Sequence, residues 1–213
     1  IVGMLTIFLT FSNVFIDSGF SRALIQKQDR TEEDFSTTLI FNIVISIVLY
    51  LILFFVSPAI SQFYKTPKLL NFQRVFFWVI ILNSLTVVQN AKLQISVNFK
   101  SIAIVNSFTV VLSGVIAIIA AYQGLGAWAL VIQNVSKSFI SVVMFWIVGK
   151  WIPKTGFSKK SFKNLFGFGS KLLFSGLLST SITNIYNLVI GKIYNPSSLG
   201  YFTRAQQFPE LTS

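Results

Sequence analysis

A lysine, Lys137, stands about ten residues inside an apolar run that extends from Ala127 to Val148. At ~1.5 Å of rise per residue that depth is ~15 Å, near the middle of a ~30 Å hydrocarbon layer. A lysine stem cannot snorkel so far, and the ammonium needs water or an anion beside it. Gln133 lies one helical turn earlier on the same line, with Asn134, Ser138 and Ser141 alongside. Amides and hydroxyls match the hydroxyls of a sugar, and an ammonium matches a phosphate. The chemistry on offer is recognition rather than bond making. The chain has no cysteine and no histidine, which excludes thiol chemistry, disulfides, thiolate metal sites and imidazole catalysis. Neither an enzyme nor a metal or cofactor site is expected.

The elements that must position such a lysine are legible in the composition. Apolar residues make up 54% of the chain, charged residues 11%, and the mean hydropathy is +0.73. A soluble domain of this length is far more polar. Stretches near the ~20 residues that a crossing helix needs fall at 36–56, 70–91, 101–121, 127–148 and 168–190, with partial ones at 1–16 and 199–213. They lack the polar outer face of a soluble core helix. The fold expected is all-α, a polytopic integral membrane helical bundle. The first run lacks a basic leader and cleavage site. Ile1 is not a natural start and the last run breaks off at Ser213, so a fragment of a longer protein is expected.

Polar residues three, four or seven apart share a helical face. Such stripes are Thr6, Thr10, Asn13 and Asp17; Asn42, Ser46 and Tyr50; Asn83, Thr86 and Asn90; Asn106, Thr109 and Ser113; and Thr180, Asn184 and Asn187. Helix packing uses such groups sparingly, each bond adding only ~0.6–2 kcal/mol. Stripes on every span, and a lysine with no carboxylate inside another span, favour a water-filled central cavity. The candidate substrate-binding residues are Lys137, Asn134, Gln133, Asn83, Asn90, Asn184 and Asn187, with Arg22, Lys92 and Lys171 in the half leading to them. Snorkelling to headgroups is the competing role for Lys92 and Lys171. The ligand this set fits is the diphosphate of a lipid-linked sugar, held by Lys137 at mid-membrane.

Loops 17–35, 92–100 and 149–171, with their helix ends, carry eleven Lys and Arg against five in the alternate loops. The positive-inside rule puts the first set in the cytoplasm and Ile1 outside. Cations spread over loops in this way do not suggest nucleic acid. Residues 1–148 read as an N-terminal lobe of transmembrane helices and 168–213 as the first part of a C-terminal lobe. Between them, 149–167 reads as an amphipathic linker lying in the cytoplasmic headgroup layer, with Ser158 as N-cap. Loop 17–35 holds five of the six acidic residues. Thr31 with Asp34 three residues later reads as a capping box, and Glu32, Glu33 and Asp34 complement a helix dipole better than they make a metal cluster.

Longer segments add a resemblance. FIDSGFSRALIQKQDRTEEDFSTTLIFN at 15–42, LLNFQRVFFWVIILNSLTVVQNAKLQISVNFKSIA at 69–103, GLGAWALVIQ at 124–133 and NLVIGKIYNPSSLGYFTRAQQFPEL at 187–211 resemble bacterial polysaccharide flippases. These belong to the multidrug/oligosaccharidyl-lipid/polysaccharide exporter superfamily. The resemblance implies a two-lobed transporter of roughly twelve helices around an alternately opening cavity, with this chain as the second to seventh helices plus the start of the eighth. It implies residence in the bacterial inner (cytoplasmic) membrane. It also implies export of undecaprenyl-diphosphate-linked oligosaccharide for O-antigen, capsule or exopolysaccharide, among membrane lipids and with polysaccharide polymerases as partners. Relatives often carry an acidic residue in the seventh helix where this chain has Tyr186, so ion coupling at that position is not implied.

Two other readings stay open. A drug or cation antiporter of the same fold would want mid-depth carboxylates, and a membrane glycosyltransferase or polymerase would want a large outer loop or paired catalytic carboxylates. This chain has neither.

Overall fold

The computed structural model describes residues 2–17, 19–67 and 69–193, with side chains described between 5 and 182 apart from 7, 18 and 68. The elements are α1 (Val2–Asp17), α2 (Phe20–Gln26), α3 (Glu32–Phe63), α4 (Leu69–Phe76), α5 (Trp78–Ile95), α6 (Phe99–Tyr122), α7 (Ala127–Gly149) and α8 (Lys159–Ile193). Five helical stretches among the described residues are long and apolar enough to cross a membrane, with α4 and α5 together forming one of them. The fold is the all-α, multi-pass bundle that the composition requires. Val44, Ile52 and Phe55 of α3 and Phe108, Val111 and Ile118 of α6 are exposed, as lipid-facing side chains must be where the solvent is hydrocarbon.

Local chemistry sets the ends of these helices. Thr31 accepts a hydrogen bond from the Asp34 backbone N–H, and the Asp34 carboxylate accepts one from Thr31 N–H at 2.9 Å, completing the expected capping box. Lys27 pairs with the same carboxylate. Its 32 residues make α3 ~48 Å long, more than the ~30 Å of hydrocarbon, so its first turn projects beyond the layer. The α6–α7 hairpin turns through Gly124 (φ +79°) and Gly126 (φ +53°), a backbone region that favours glycine. The span made by α4 and α5 is broken at Phe77, where Ile80 N–H bonds to the Phe77 carbonyl, one residue tighter than the α-helical pattern. Phe76 and Phe77 are fully buried at this break and anchor it in the core with Leu5, Ile16 and Val131. Helix α5 is central, packed on α1, α2, α3 and α7.

The three basic loops come to one end of the bundle, and Trp151 is what joins them. Its ring is buried among Leu24, Phe35, Leu39, Val88 and Ala91. The indole N–H donates to Glu32 Oε2 at 2.7 Å, and its carbonyl accepts from Gln89 Nε2 at 2.7 Å. Gly149 makes this possible, because a Cβ there would overlap the Gln89 side chain. Ser158 N–H donates to Thr37 Oγ1 at 3.0 Å, and Thr155 Oγ1 donates to the Glu32 carbonyl.

The linker differs from the expected helix lying in the headgroup layer. Only 150–158 is non-helical, and α8 runs without interruption from Lys159 through the span. Ser158 caps it as expected, its Oγ accepting from Ser161 N–H at 3.4 Å. The apolar face of the first turns is taken up by protein rather than lipid. Leu165 is buried with Phe20 and Ala23, and Phe162 packs on Phe20 and Phe41.

Removing the ring of Trp151 should loosen the whole basic end. Trp151→Ala is expected to lower the unfolding free energy by about 3–5 kcal/mol, read as a shift of the denaturation midpoint in detergent. A shift within error of wild type would contradict the anchoring role.

Candidate functional site

Three helices bring amide and hydroxyl groups together in the apolar part of the bundle, and Asn83 of α5 is their meeting point. Its Nδ2 donates to Asn13 Oδ1 of α1 at 3.2 Å, and its Oδ1 accepts from Ser138 Oγ of α7 at 2.9 Å. Helical spacing explains the convergence. Asn13 continues the line of Thr6 and Thr10, Thr86 and Asn90 follow Asn83, and Ser138 lies a turn beyond Asn134. Thr10 and Thr86 return their hydroxyls to backbone carbonyls of their own helices, while Asn90 Oδ1 accepts from Gln94 Nε2 at 3.3 Å. The stripes of α1, α5 and α7 therefore form one polar surface, pinned at Asn83.

Lys137 precedes Ser138 on α7, about 100° round the helix from it. Its side chain is exposed, with no ion-pair or hydrogen-bond partner among the described residues. Gln133, Asn134 and Ser141 are half-buried around it, and Asn134 Nδ2 donates to the Leu130 carbonyl at 2.8 Å. An unpaired ammonium beside a fixed row of amides and hydroxyls can bind an anion carrying hydroxyl groups.

The other candidates divide. Arg22 on α2 and Lys171 on α8 are exposed at the basic end. Asn184 and Asn187 fall on α8, where their side chains lie outside the described residues. Lys92 does not join the polar surface. It pairs with Glu32 at 3.4 Å and lies over the rings of Phe35 (4.5 Å) and Trp151 (5.1 Å). The Trp151 indole holds the Glu32 carboxyl below its ordinary value, and the charge of Lys92 adds to the effect. This lysine closes the linker onto the bundle, a role that spacing along one helix cannot reveal.

Two stripes also depart from the cavity expectation. Asn42 and Ser46 of α3 are fully buried, and Ser46 Oγ bonds Ser84 Oγ of α5 at 3.1 Å. Thr109 and Ser113 of α6 are buried as well, on a helix packed against α7. Both stripes serve helix packing, because a polar face can meet a partner helix as readily as water. Conversely, Asn13 and Ser138 were visible only as stripe members, yet they are the two groups that bond Asn83. Gln89 and Trp151 were not singled out at all. A lone buried amide beside an apolar run, and a tryptophan two residues past a helix end, were the available signals.

Residues 1–213 match throughout the profile of a family described as polysaccharide biosynthesis protein. The chain belongs to that family. It is 30% identical over 199 residues to the teichuronic acid biosynthesis protein TuaB of Bacillus subtilis (strain 168), covering 92% of this chain and 41% of that relative. The chain thus spans less than half the length of the curated relative it matches. No solved structure matches it.

Asn83→Leu removes both interhelical bonds and strands Asn13 and Ser138. It is expected to cost about 1–2 kcal/mol, measured by thermal unfolding in detergent against Asn90→Leu, which breaks only a contact within α5.

Proposed function

We propose that the chain forms the N-terminal lobe and the first helix of the C-terminal lobe of an exporter. This exporter would flip undecaprenyl-diphosphate-linked oligosaccharide from the cytoplasmic to the outer leaflet of the inner membrane. The observation that carries the reading is Lys137, exposed and unpaired at mid-span beside the Asn13–Asn83–Ser138 row. Membership of a polysaccharide biosynthesis family supports a carbohydrate cargo. The similarity to TuaB, named for teichuronic acid biosynthesis, supports the same general role.

In this reading the basic end faces the cytoplasm. The diphosphate enters past Arg22 and Lys171 and reaches Lys137, whose charge offsets part of its own. Amides along α5 and α7 meet the sugars, and the prenyl tail stays in lipid. Rocking of two lobes about this fixed site would then expose it to the outer side. The residues involved bind and orient the cargo. They break no bond, and the reading is of a transporter rather than an enzyme.

The full-length protein in liposomes containing a diphosphate-linked oligosaccharide tests this directly. Losing one charge-assisted contact of about 1.5–3 kcal/mol corresponds to roughly 10–100-fold, so Lys137→Ala should slow flipping by that factor, and Lys137→Arg should retain most activity. Unchanged flipping in Lys137→Ala would remove the residue from the mechanism. Proton-driven export of organic cations by the same preparation would favour an antiporter instead.

A further inference from the structure

Gly19, at the junction of α1 and α2, and Gly169, inside α8, touch backbone to backbone. A Cβ built on Gly169 would lie 2.9 Å from both the carbonyl carbon and the oxygen of Gly19, and one built on Gly19 would lie 3.2 Å from the Gly169 oxygen. Neither glycine has a positive φ; among the described glycines only Gly124 and Gly126 do. Glycine is therefore not required at either place by its own backbone, and inside a helix it is a poor choice. Only the contact explains the pair. Gly167, two residues away in α8, has nothing within 4 Å of its Cβ position, so closeness is not general to this part of the helix.

The place of the contact gives it meaning. Gly19 lies six residues beyond Asn13, ~9 Å further along the chain at helical rise, so it closes the polar surface of α1 at the basic end. The partner helix is the first one after the linker. Around the two glycines the seam is made of rings: Phe20 stacks on Phe162 at 5.4 Å, with Phe41 and Phe166 beside them. Among the described residues the ion pairs at this end, Lys27–Asp34 and Lys92–Glu32, both lie within the 17–95 part of the chain and do not bridge to α8. Parting this seam breaks neither ion pair.

We propose that Gly19 and Gly169 form the closing contact of the cytoplasmic gate, so that the described conformation is shut at the basic end and opens by separating α8 from α1 and α2. This rests on the reading of the chain as part of a two-lobed exporter, and it adds the position and steric basis of the inner closure. A side chain as bulky as leucine at either glycine holds the lobes apart and leaves the basic end open.

The test uses the full-length protein, freed of any thiols outside this stretch. Under copper phenanthroline, Gly19→Cys with Gly169→Cys should cross-link at least 10-fold faster than Gly19→Cys with Gly167→Cys. Flipping should stop on oxidation and return with reductant. In a second arm, Gly169→Leu should raise labelling of Thr10→Cys by an impermeant maleimide from the basic side several-fold, whereas Gly167→Leu leaves it unchanged. Equal cross-linking of the two pairs, or no rise in labelling, overturns the gate. If the cross-linking and labelling behave as stated while no lipid-linked sugar moves, the gate stands and the assigned cargo falls. If sugar moves but the glycine pair does not cross-link, the cargo stands and the gate falls.

Discussion

A hydrocarbon layer offers no hydrogen bonds, so every polar group inside a span must find a partner in the protein or face water. Part of this structure follows from that constraint, while the buried amides of Asn42 and Gln73 and the Thr109 hydroxyl stay without a hydrogen-bond partner among the described residues. Asn83 meets it through Asn13 and Ser138, and Ser46 through Ser84. Lys137 is exposed and has no partner within the described residues.

The basic end obeys a different rule because it lies beyond the hydrocarbon. There Lys27 pairs with Asp34 and Lys92 with Glu32, and the linker is held by a buried ring. Trp151 joins the α3 cap, the end of α5 and the segment before α8 in one cluster. Lys92 completes it from above the ring. Beyond the short linker, α8 is one continuous helix from Lys159.

The same constraint explains why the apolar pattern was so informative about the spans and so much less so about the site. Each span boundary is a local matter of length and composition, and the ends found for α3, α6 and α7 follow from a cap, an asparagine and a pair of glycines. The direction of each polar stripe is not local. Asn42 and Asn83 look alike in sequence, yet one is sealed against α5 and the other bonds to two helices on a half-exposed face.

By itself the sequence determined the all-helical, multi-pass architecture, the positions of its spans, the Thr31–Asp34 cap and the oddity of Lys137. Hydropathy, helical period and capping chemistry act within a few turns of chain, and any reader of the sequence can apply them. Tertiary structure alone decided that Lys92 belongs to the linker clasp, that the α3 and α6 stripes are packing, and that Gly19 meets Gly169. Those outcomes depend on which helix lies beside which, a relation between residues scores of positions apart that no local pattern encodes.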